Sequence, residues 1–254
     1  MPELIRWPAE AIWERVAPRL VGFSVEIVPL IDSTNTELMR RARAGQLEPS
    51  LLVAQGQTAG RGRLGRSWHS TPGDSLTFSL GLPLAPVDWS GLSLAVGLSL
   101  AQSLHPEIGL KWPNDLWWRG RKLAGILIET ASFDGTRIAV IGVGLNIALP
   151  PADGLTTPPA GLCELQAGMD APQALARMAA PLVEDVLAFA ATGFSPLRDA
   201  FNARDVLNGR EISLSNGLQG RAGGVDETGA LLVHTAKGLQ RVTTSEVSVR
   251  PVEP

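Results

Sequence analysis

The segment AGRGRLGRSWHS, Ala59 to Ser70, sets Arg61, Arg63 and Arg66 among glycines. Glycine lets a backbone approach a ligand closely and turn successive N–H groups toward it. Arginine forks match the paired oxygens of phosphates and carboxylates. Three like charges this close repel, so an anion settling among them relieves the repulsion. The loop reads as an anion-closing segment; a solvated charged turn is the plainer alternative, and a nucleic-acid contact a third. Trp68 either stacks on a flat ligand or anchors the loop to the core.

A second cluster is KWPNDLWWRGRKLAG. Pro113 fixes a tight turn and biases Trp112 toward extended backbone. Lys111, Asn114 and Asp115 then meet at one corner, and Lys122 returns on the next strand. Two lysines, an amide and a carboxylate can neutralise a polyphosphate and offer oxygens to Mg²⁺. An ordinary turn with exposed lysines is the alternative. Gly125 suggests close approach by another backbone or a ligand.

Two shorter stretches add polar groups. GVGLN, Gly142 to Asn146, carries Gly142 and Gly144 inside an apolar run, where glycine weakens a strand unless space is needed. Asn146 brings an amide that must find partners. A tight strand end with Asn in a turn remains open. DSTN, Asp32 to Asn35, gathers Ser33, Thr34 and Asn35 at a helix start, where simple capping is the competing reading. Asp74, His69, His105 and His234 show no metal-ligand spacing, and His69 reads as an ordinary polar residue. GxSxG, HExxH and Walker A patterns are absent from the sequence.

The elements that must position these residues follow from pattern. IDSTNTELMRRARAG predicts a strand end and then a helix, with Thr34 and Glu37 as a capping box and Gly45 as the stop. LLVAQGQT predicts a strand running into the arginine loop. DSLTFSLGLPL alternates over Leu76, Phe78 and Leu80, which predicts a strand with one buried face. GLSLAVGLSLAQSL also alternates, but its length and its Ala, Leu and Ser content favour a buried helix. LKWPNDLWWRGRKLAGILIE predicts a strand pair turning at Arg119-Gly120. RIAVIGVGLNIAL predicts a buried central strand. A loop rich in Pro, Gly and Thr spans Pro150 to Gly161. Ala171 to Thr192 predicts a helix that Pro181 kinks or splits. After about Asn202, short strands and turn signals alternate, predicting a small all-β unit of roughly fifty residues.

The chain has 254 residues, 44% apolar and 19% charged, which places it among ordinary globular proteins. A net charge of -3 weighs against broad nucleic-acid or membrane affinity. Cys163 stands alone, so it forms no internal disulfide and no cysteine-based zinc site; it reads as a small buried residue. No signal peptide is evident, and apolar runs break well before the ~20 residues of a membrane span. The expected compartment is cytoplasmic.

Taken in order, STN, GRGRLGRSW, KWPNDL with RKLAGILIE, and GVGLN resemble the biotin protein ligases, the biotin–[acetyl-CoA-carboxylase] ligase family. The matching motifs run from about Asp32 to Asn146. The resemblance implies an α+β fold: a mixed-sheet catalytic domain backed by helices over residues 1–202, and a small C-terminal SH3-like β-barrel over 203–254. The segment before Asp32 is short for the winged-helix repressor domain some members carry, so the monofunctional type, without operator binding, is expected.

The implied reaction has two steps. Biotin carboxylate attacks the α-phosphate of ATP, giving biotinyl-5′-adenylate and pyrophosphate. A lysine of the biotin carboxyl carrier protein then attacks the mixed anhydride. By position, Lys122, Arg61, Arg63 and Lys111 are the implied catalytic cations. Ser33, Thr34, Asn35, Gln57, Gly60 and Gly125, with Arg61, Arg63 and Lys122, are the implied biotin contacts. Gly62, Trp68, Asn114, Asp115, Gly142, Gly144 and Asn146, with Arg63 and Lys122, are the implied ATP and adenylate contacts. Mg²⁺ is expected at Asp115 and Asn114, and no zinc is expected. The expected partners are biotin, ATP and the carrier protein, with no nucleic acid and no membrane; a homodimer stays open. Two other readings compete: a lipoate ligase or octanoyltransferase of shared fold, and a non-catalytic biotin-sensing regulator.

Overall fold

In the computed structural model, residues 5–152, 154–155, 157–243 and 248–252 are described. A short helix α1 (Ala9–Val16) leads into strand β1 (Ser24–Ile31), helix α2 (Thr34–Arg43) and strand β2 (Ser50–Gln57). Strand β3 (Ser75–Pro83) is followed by helix α3 (Leu92–Leu104) and strands β4 (Gly109–Lys111), β5 (Asp115–Trp118), β6 (Arg121–Phe133) and β7 (Thr136–Asn146). Helices α4 (Ala171–Thr192) and α5 (Arg198–Asn202) precede strands β8 (Glu211–Leu214), β9 (Gln219–Val225), β10 (Leu231–Thr235), β11 (Gly238–Val242) and β12 (Val249–Pro251).

The first sheet is seven-stranded, in the order β1-β2-β3-β7-β6-β5-β4. β1 and β2 run parallel, and the remaining neighbours pair antiparallel. The second sheet is antiparallel and five-stranded, in the order β11-β10-β9-β8-β12. The architecture is α+β, with a mixed sheet and a small C-terminal sheet.

The helices divide between the faces of the large sheet. α1, α3 and α4 pack on one face with Phe78, Leu80, Leu82 and Ile126 in the main core. The other face carries α2, whose Leu38 and Met39 form a smaller core with Leu52, Ile138 and Val140. Strand β3 is consequently buried on both faces, where its alternation predicts one. Its polar residues Ser75, Thr77 and Ser79 are buried as well and face the α2 side. α3 forms as a buried helix despite alternating leucines, because all of its residues but Gln102 are apolar or small.

Three local expectations change. The cap of α2 is Ser33 rather than Thr34: Ser33 Oγ accepts from the Thr36 N–H at 3.4 Å. Glu37 therefore makes no capping box and pairs with Arg41 instead (Nε–Oε1 2.8 Å). Pro181 does not split α4, which runs unbroken for 22 residues. The carbonyl that Pro181 leaves without its helical partner belongs to Arg177, an exposed residue. Cys163 is exposed, not buried. Elsewhere the turn chemistry holds: Gly45 ends α2 at φ +83°, and Arg119 and Gly120 take φ 48° and 76° between β5 and β6.

The chain joining the two sheets is tied to the first. Leu110, in β4, donates its N–H to Arg204 O at 2.8 Å and accepts from the Val206 N–H at 3.0 Å. Arg204 Nη1 also reaches the carbonyl of Ile108 at 2.9 Å.

Candidate functional site

Cross-strand register builds the floor of the site on the α2 face of the large sheet. Asp115, Gly125, Gly144 and Thr77 form one row across β5, β6, β7 and β3. Leu127, Gly142 and Ser79 form the next. Lys122, three residues before Gly125, would face away in a regular strand. A bulge between the pairs Leu116–Ala124 and Trp117–Lys122 resets the alternation. Lys122 thus points to the Gly125 face: a Cβ on Gly125 would lie 3.2 Å from Lys122 Nζ.

Above this floor lies a cavity of about 530 Å³. Of the ligand contacts that the resemblance implies, all but one line it: Ser33, Thr34, Asn35, Gln57, Arg61, Gly62, Arg63, Trp68, Lys111, Asn114, Asp115, Lys122, Gly125, Gly142, Gly144 and Asn146. The exception is Gly60, where a Cβ would meet the Trp68 carbonyl oxygen at 2.3 Å. Its role is to let the arginine loop close: the Trp68 N–H donates to Gly60 O at 2.9 Å. Arg66 and His69 also line the cavity.

The loop folds back on itself. Arg61 and Ser67 form an antiparallel bridge, and the Gly62 N–H donates to Arg66 O at 2.7 Å. Leu64 at φ 57° and Gly65 at φ 71° make the reversal. Arg63 Nη1 donates to Asn114 Oδ1 at 3.1 Å, so the loop tip touches the WPND corner. Burial lowers the Arg63 guanidinium from its usual range, opposed by Asp115 and reinforced by Arg66.

That corner concentrates charge. Lys122 Nζ lies 2.8 Å from Asp115 Oδ1, and Lys111 Nζ 4.0 Å from Asp115 Oδ2. The first contact is an ion pair whose geometry falls short of a hydrogen bond. Lys111 is buried at 9% exposure and sits 5.1 Å from the Trp117 ring centroid. Desolvation pushes its ammonium down to about 8; Asp115 opposes this, and Lys122, Arg66 and Arg250 add to it. Arg250 belongs to β12 and lines the same cavity. Asn114 Nδ2 donates to Ile126 O at 2.9 Å, which fixes Oδ1 toward Arg63.

The opposite end is a hydrogen-bonding network. The Thr34 N–H donates to Gln57 Oε1 at 2.8 Å. Ser79 Oγ lies 2.7 Å from Thr34 Oγ1 and donates to Asn35 Oδ1 at 2.6 Å. Asn35 Nδ2 donates to Leu127 O at 3.2 Å and to Glu129 Oε2 at 3.0 Å. The amide of Asn146 is likewise committed: Nδ2 donates to Ala160 O at 3.0 Å and Lys122 O at 3.4 Å. It pins the loop after β7 beside Lys122, where the Lys122 N–H and the Ala160 N–H each make a 2.8 Å backbone bond.

The glycines of GVGLN make room for side chains of the protein itself. A Cβ on Gly142 would come 2.2 Å from Asn35 Oδ1, and one on Gly144 would come 2.2 Å from Trp68 Cε2. Trp68 therefore lies on the sheet, with Lys122 Nζ 6.0 Å from its ring centroid. Sequence reasoning missed Ser79, Glu129 and Arg250. Glu129 had a readable signal: it follows Gly125 and Leu127 at the strand period of two. Among the described residues, no group of three or more His, Cys, Asp or Glu could hold a metal ion. No helix among them is long and apolar enough to cross a membrane.

The arrangement brings Lys111, Lys122 and Arg63 to one end of a cavity and fixed hydrogen-bond donors and acceptors to the other, which suits an anion attached to a polar head. Residues 27–146 match the biotin/lipoate A/B protein ligase family, and residues 209–250 match the biotin protein ligase C-terminal domain. The chain is 32% identical to the bifunctional ligase/repressor BirA of Escherichia coli over 94% of its own length and 78% of that protein. It is 31% identical to a biotin–[acetyl-CoA-carboxylase] ligase of Paracoccus denitrificans over 85% of its length and 96% of that protein. The biotin protein ligase from Aquifex aeolicus, solved with biotin and ATP, superposes with a TM-score of 0.77 at 26% identity, covering 90% of this chain and 99% of that one. This chain belongs to the biotin protein ligase family.

Proposed function

We infer that this chain is an ATP-dependent biotin–[acetyl-CoA-carboxylase] ligase that makes biotinyl-5′-adenylate and transfers biotin to a lysine of a biotin carrier protein. The observation that carries the residue roles is the joining of two ends in one cavity: Lys111, Lys122 and Arg63 around Asp115 and Asn114, and Thr34, Asn35 and Gln57 at the far side.

In the first step a biotin carboxylate oxygen bonds to the α-phosphorus of ATP, and the bond from that phosphorus to the bridging oxygen breaks, releasing pyrophosphate. Two anions must meet, so positioned cations are the main requirement. Lys122, oriented by Asp115, faces the reacting carboxylate and α-phosphate. Arg63 and Lys111 add charge on the phosphate side, and the loop N–H groups close over the adenylate and keep water off the anhydride. Thr34 and Gln57 take the ureido ring, and Trp68 borders the adenine. In the second step the carrier lysine amine bonds to the biotinyl carbonyl carbon and AMP leaves.

Asp115 and Asn114 already face Lys122, Lys111 and Arg63, so they fit Mg²⁺ carried in on the triphosphate better than a resident ion. We read the boundary near residue 203 as the end of the catalytic domain and the five C-terminal strands as the SH3-like barrel. A homodimer is compatible with this reading. The test is transfer of labelled biotin to a carrier domain, with and without ATP and against lipoate as competitor. Label on the carrier only with ATP and biotin is expected; equal transfer of lipoate would overturn the biotin assignment.

A further inference from the structure

The three loop arginines are not equivalent. Arg63 meets the amide of Asn114. Arg61 turns the other way: Nη2 pairs with Glu129 Oε1, and Nη1 lies 3.5 Å from Thr36 Oγ1. Glu129 is on β6, 68 residues away in sequence, and Thr36 is in the first turn of α2. Arg61 thus fastens the loop across two other elements.

An exposed ion pair ordinarily contributes little, because ordering two long side chains offsets the attraction. Here the carboxylate is already ordered. Glu129 Oε2 accepts from Asn35 Nδ2 at 3.0 Å, and Asn35 is buried at 3% exposure with its other contacts to Leu127 O and Ser79. One side chain therefore joins the loop to the polar chain that runs through Asn35 and Ser79 to Thr34 and Gln57. The loop itself is closed by the Arg61–Ser67 bridge and the Gly62–Arg66 hydrogen bond, so holding Arg61 holds the whole reversal.

We propose that Glu129 is a positioning residue that docks the glycine–arginine loop through Arg61 and aligns the ureido end of the site through Asn35. Arg61 is then the loop's anchor, and Arg63, Lys111 and Lys122 are the cations left to meet the ligand. This rests on the ligase reading for its ligand but not for its anchor.

The test uses Glu129→Gln, Arg61→Gln and the charge exchange Glu129→Arg with Arg61→Glu in the full chain. Tryptic cleavage after Arg63 and Arg66, mapped by mass spectrometry on protein without ligand, reports docking. Retention of labelled biotinyl-adenylate and the split between KM for biotin and kcat report positioning. Either single change is expected to speed loop cleavage, raise KM for biotin and shorten adenylate retention, each by about tenfold, with kcat of adenylation changed far less. The two single changes combined should be non-additive, and the exchange should restore part of the retention. Unchanged cleavage in both single variants overturns the anchor. Faster cleavage with unchanged KM and retention makes Glu129 a tether only and overturns the positioning role. Failure of wild-type biotin transfer alongside altered cleavage overturns the ligase reading and leaves the anchor standing.

Discussion

The indole of Trp68 lies so close to β7 that a Cβ on Gly144 would come 2.2 Å from Cε2. Two positions earlier, Gly142 stands in the same relation to Asn35. The pair of glycines thus supports two different parts of the cavity. Gly144→Ala should move Trp68 and raise KM for ATP about tenfold, whereas Gly142→Ala should move Asn35 and raise KM for biotin instead. Steady-state kinetics with each substrate varied separates the two; an identical change in both constants would mean the glycines serve folding alone.

Lys122 carries the largest expected chemical effect. Its Nζ pairs with Asp115 at 2.8 Å and is backed by a backbone clamp from Pro158 and Ala160. Lys122→Ala should slow adenylation about 10²–10³-fold, roughly 3 kcal/mol, the scale of losing one preorganised donor. Pyrophosphate release from biotin and ATP measures it. A rate within threefold of wild type would dismiss Lys122 as a catalytic residue.

Lys111 gives the first step a basic limb. Its ammonium titrates near 8 because burial disfavours the charge, whereas an unfolded chain keeps that proton to about 10.4. The cation is therefore lost from the free protein as pH rises through about 8, and kcat/KM for ATP should fall there. Lys111→Arg should push this limb to higher pH. The stability contribution has the opposite sense: it is present above about 10.4 and lost as pH falls through the folded value. A flat kcat/KM between pH 7 and 10 would contradict the assignment.

Asp205 lies beside the tie between the sheets. Its Oδ1 accepts from the Leu207 N–H at 2.9 Å, while Oδ2 is buried without a hydrogen-bond partner. Desolvation pushes the carboxyl up to about 6, opposed by the Leu207 hydrogen bond. The folded chain holds a proton that the unfolded chain has lost between about pH 4 and 6, so this residue's contribution to stability falls as pH rises through that window. Asp205→Asn should stabilise the protein by about 2 kcal/mol at pH 8 and by less at pH 5. Thermal melts at the two pH values provide the comparison; equal Tm shifts would sink the idea.

Much of the site was legible because its motifs are contiguous and each sits at a strand or helix end. The Arg119-Gly120 turn announced the pair that delivers Lys122, and the length and small residues of the α3 segment outweighed its alternation. What stayed hidden depends on register between distant strands. Gly142 and Gly144 announce missing volume, but not that Asn35 and Trp68 fill it. Ser79 looks like the polar side of a half-exposed strand until α2 covers it. The bulge beside Lys122 has no local signature, yet it decides which face that lysine serves. Arg250 comes from the far end of the chain and meets the cavity only through packing.

The backbone tie at Leu110 also bears on how the large sheet meets other molecules. β4 is an outer strand, and both main-chain groups of its middle residue are taken by Arg204 and Val206. An incoming strand finds no free donor or acceptor there, so edge-to-edge growth on that side is blocked by the protein's own chain. The β1 border is the opposite outer strand, and there Pro29, which has no N–H, interrupts the row of main-chain donors.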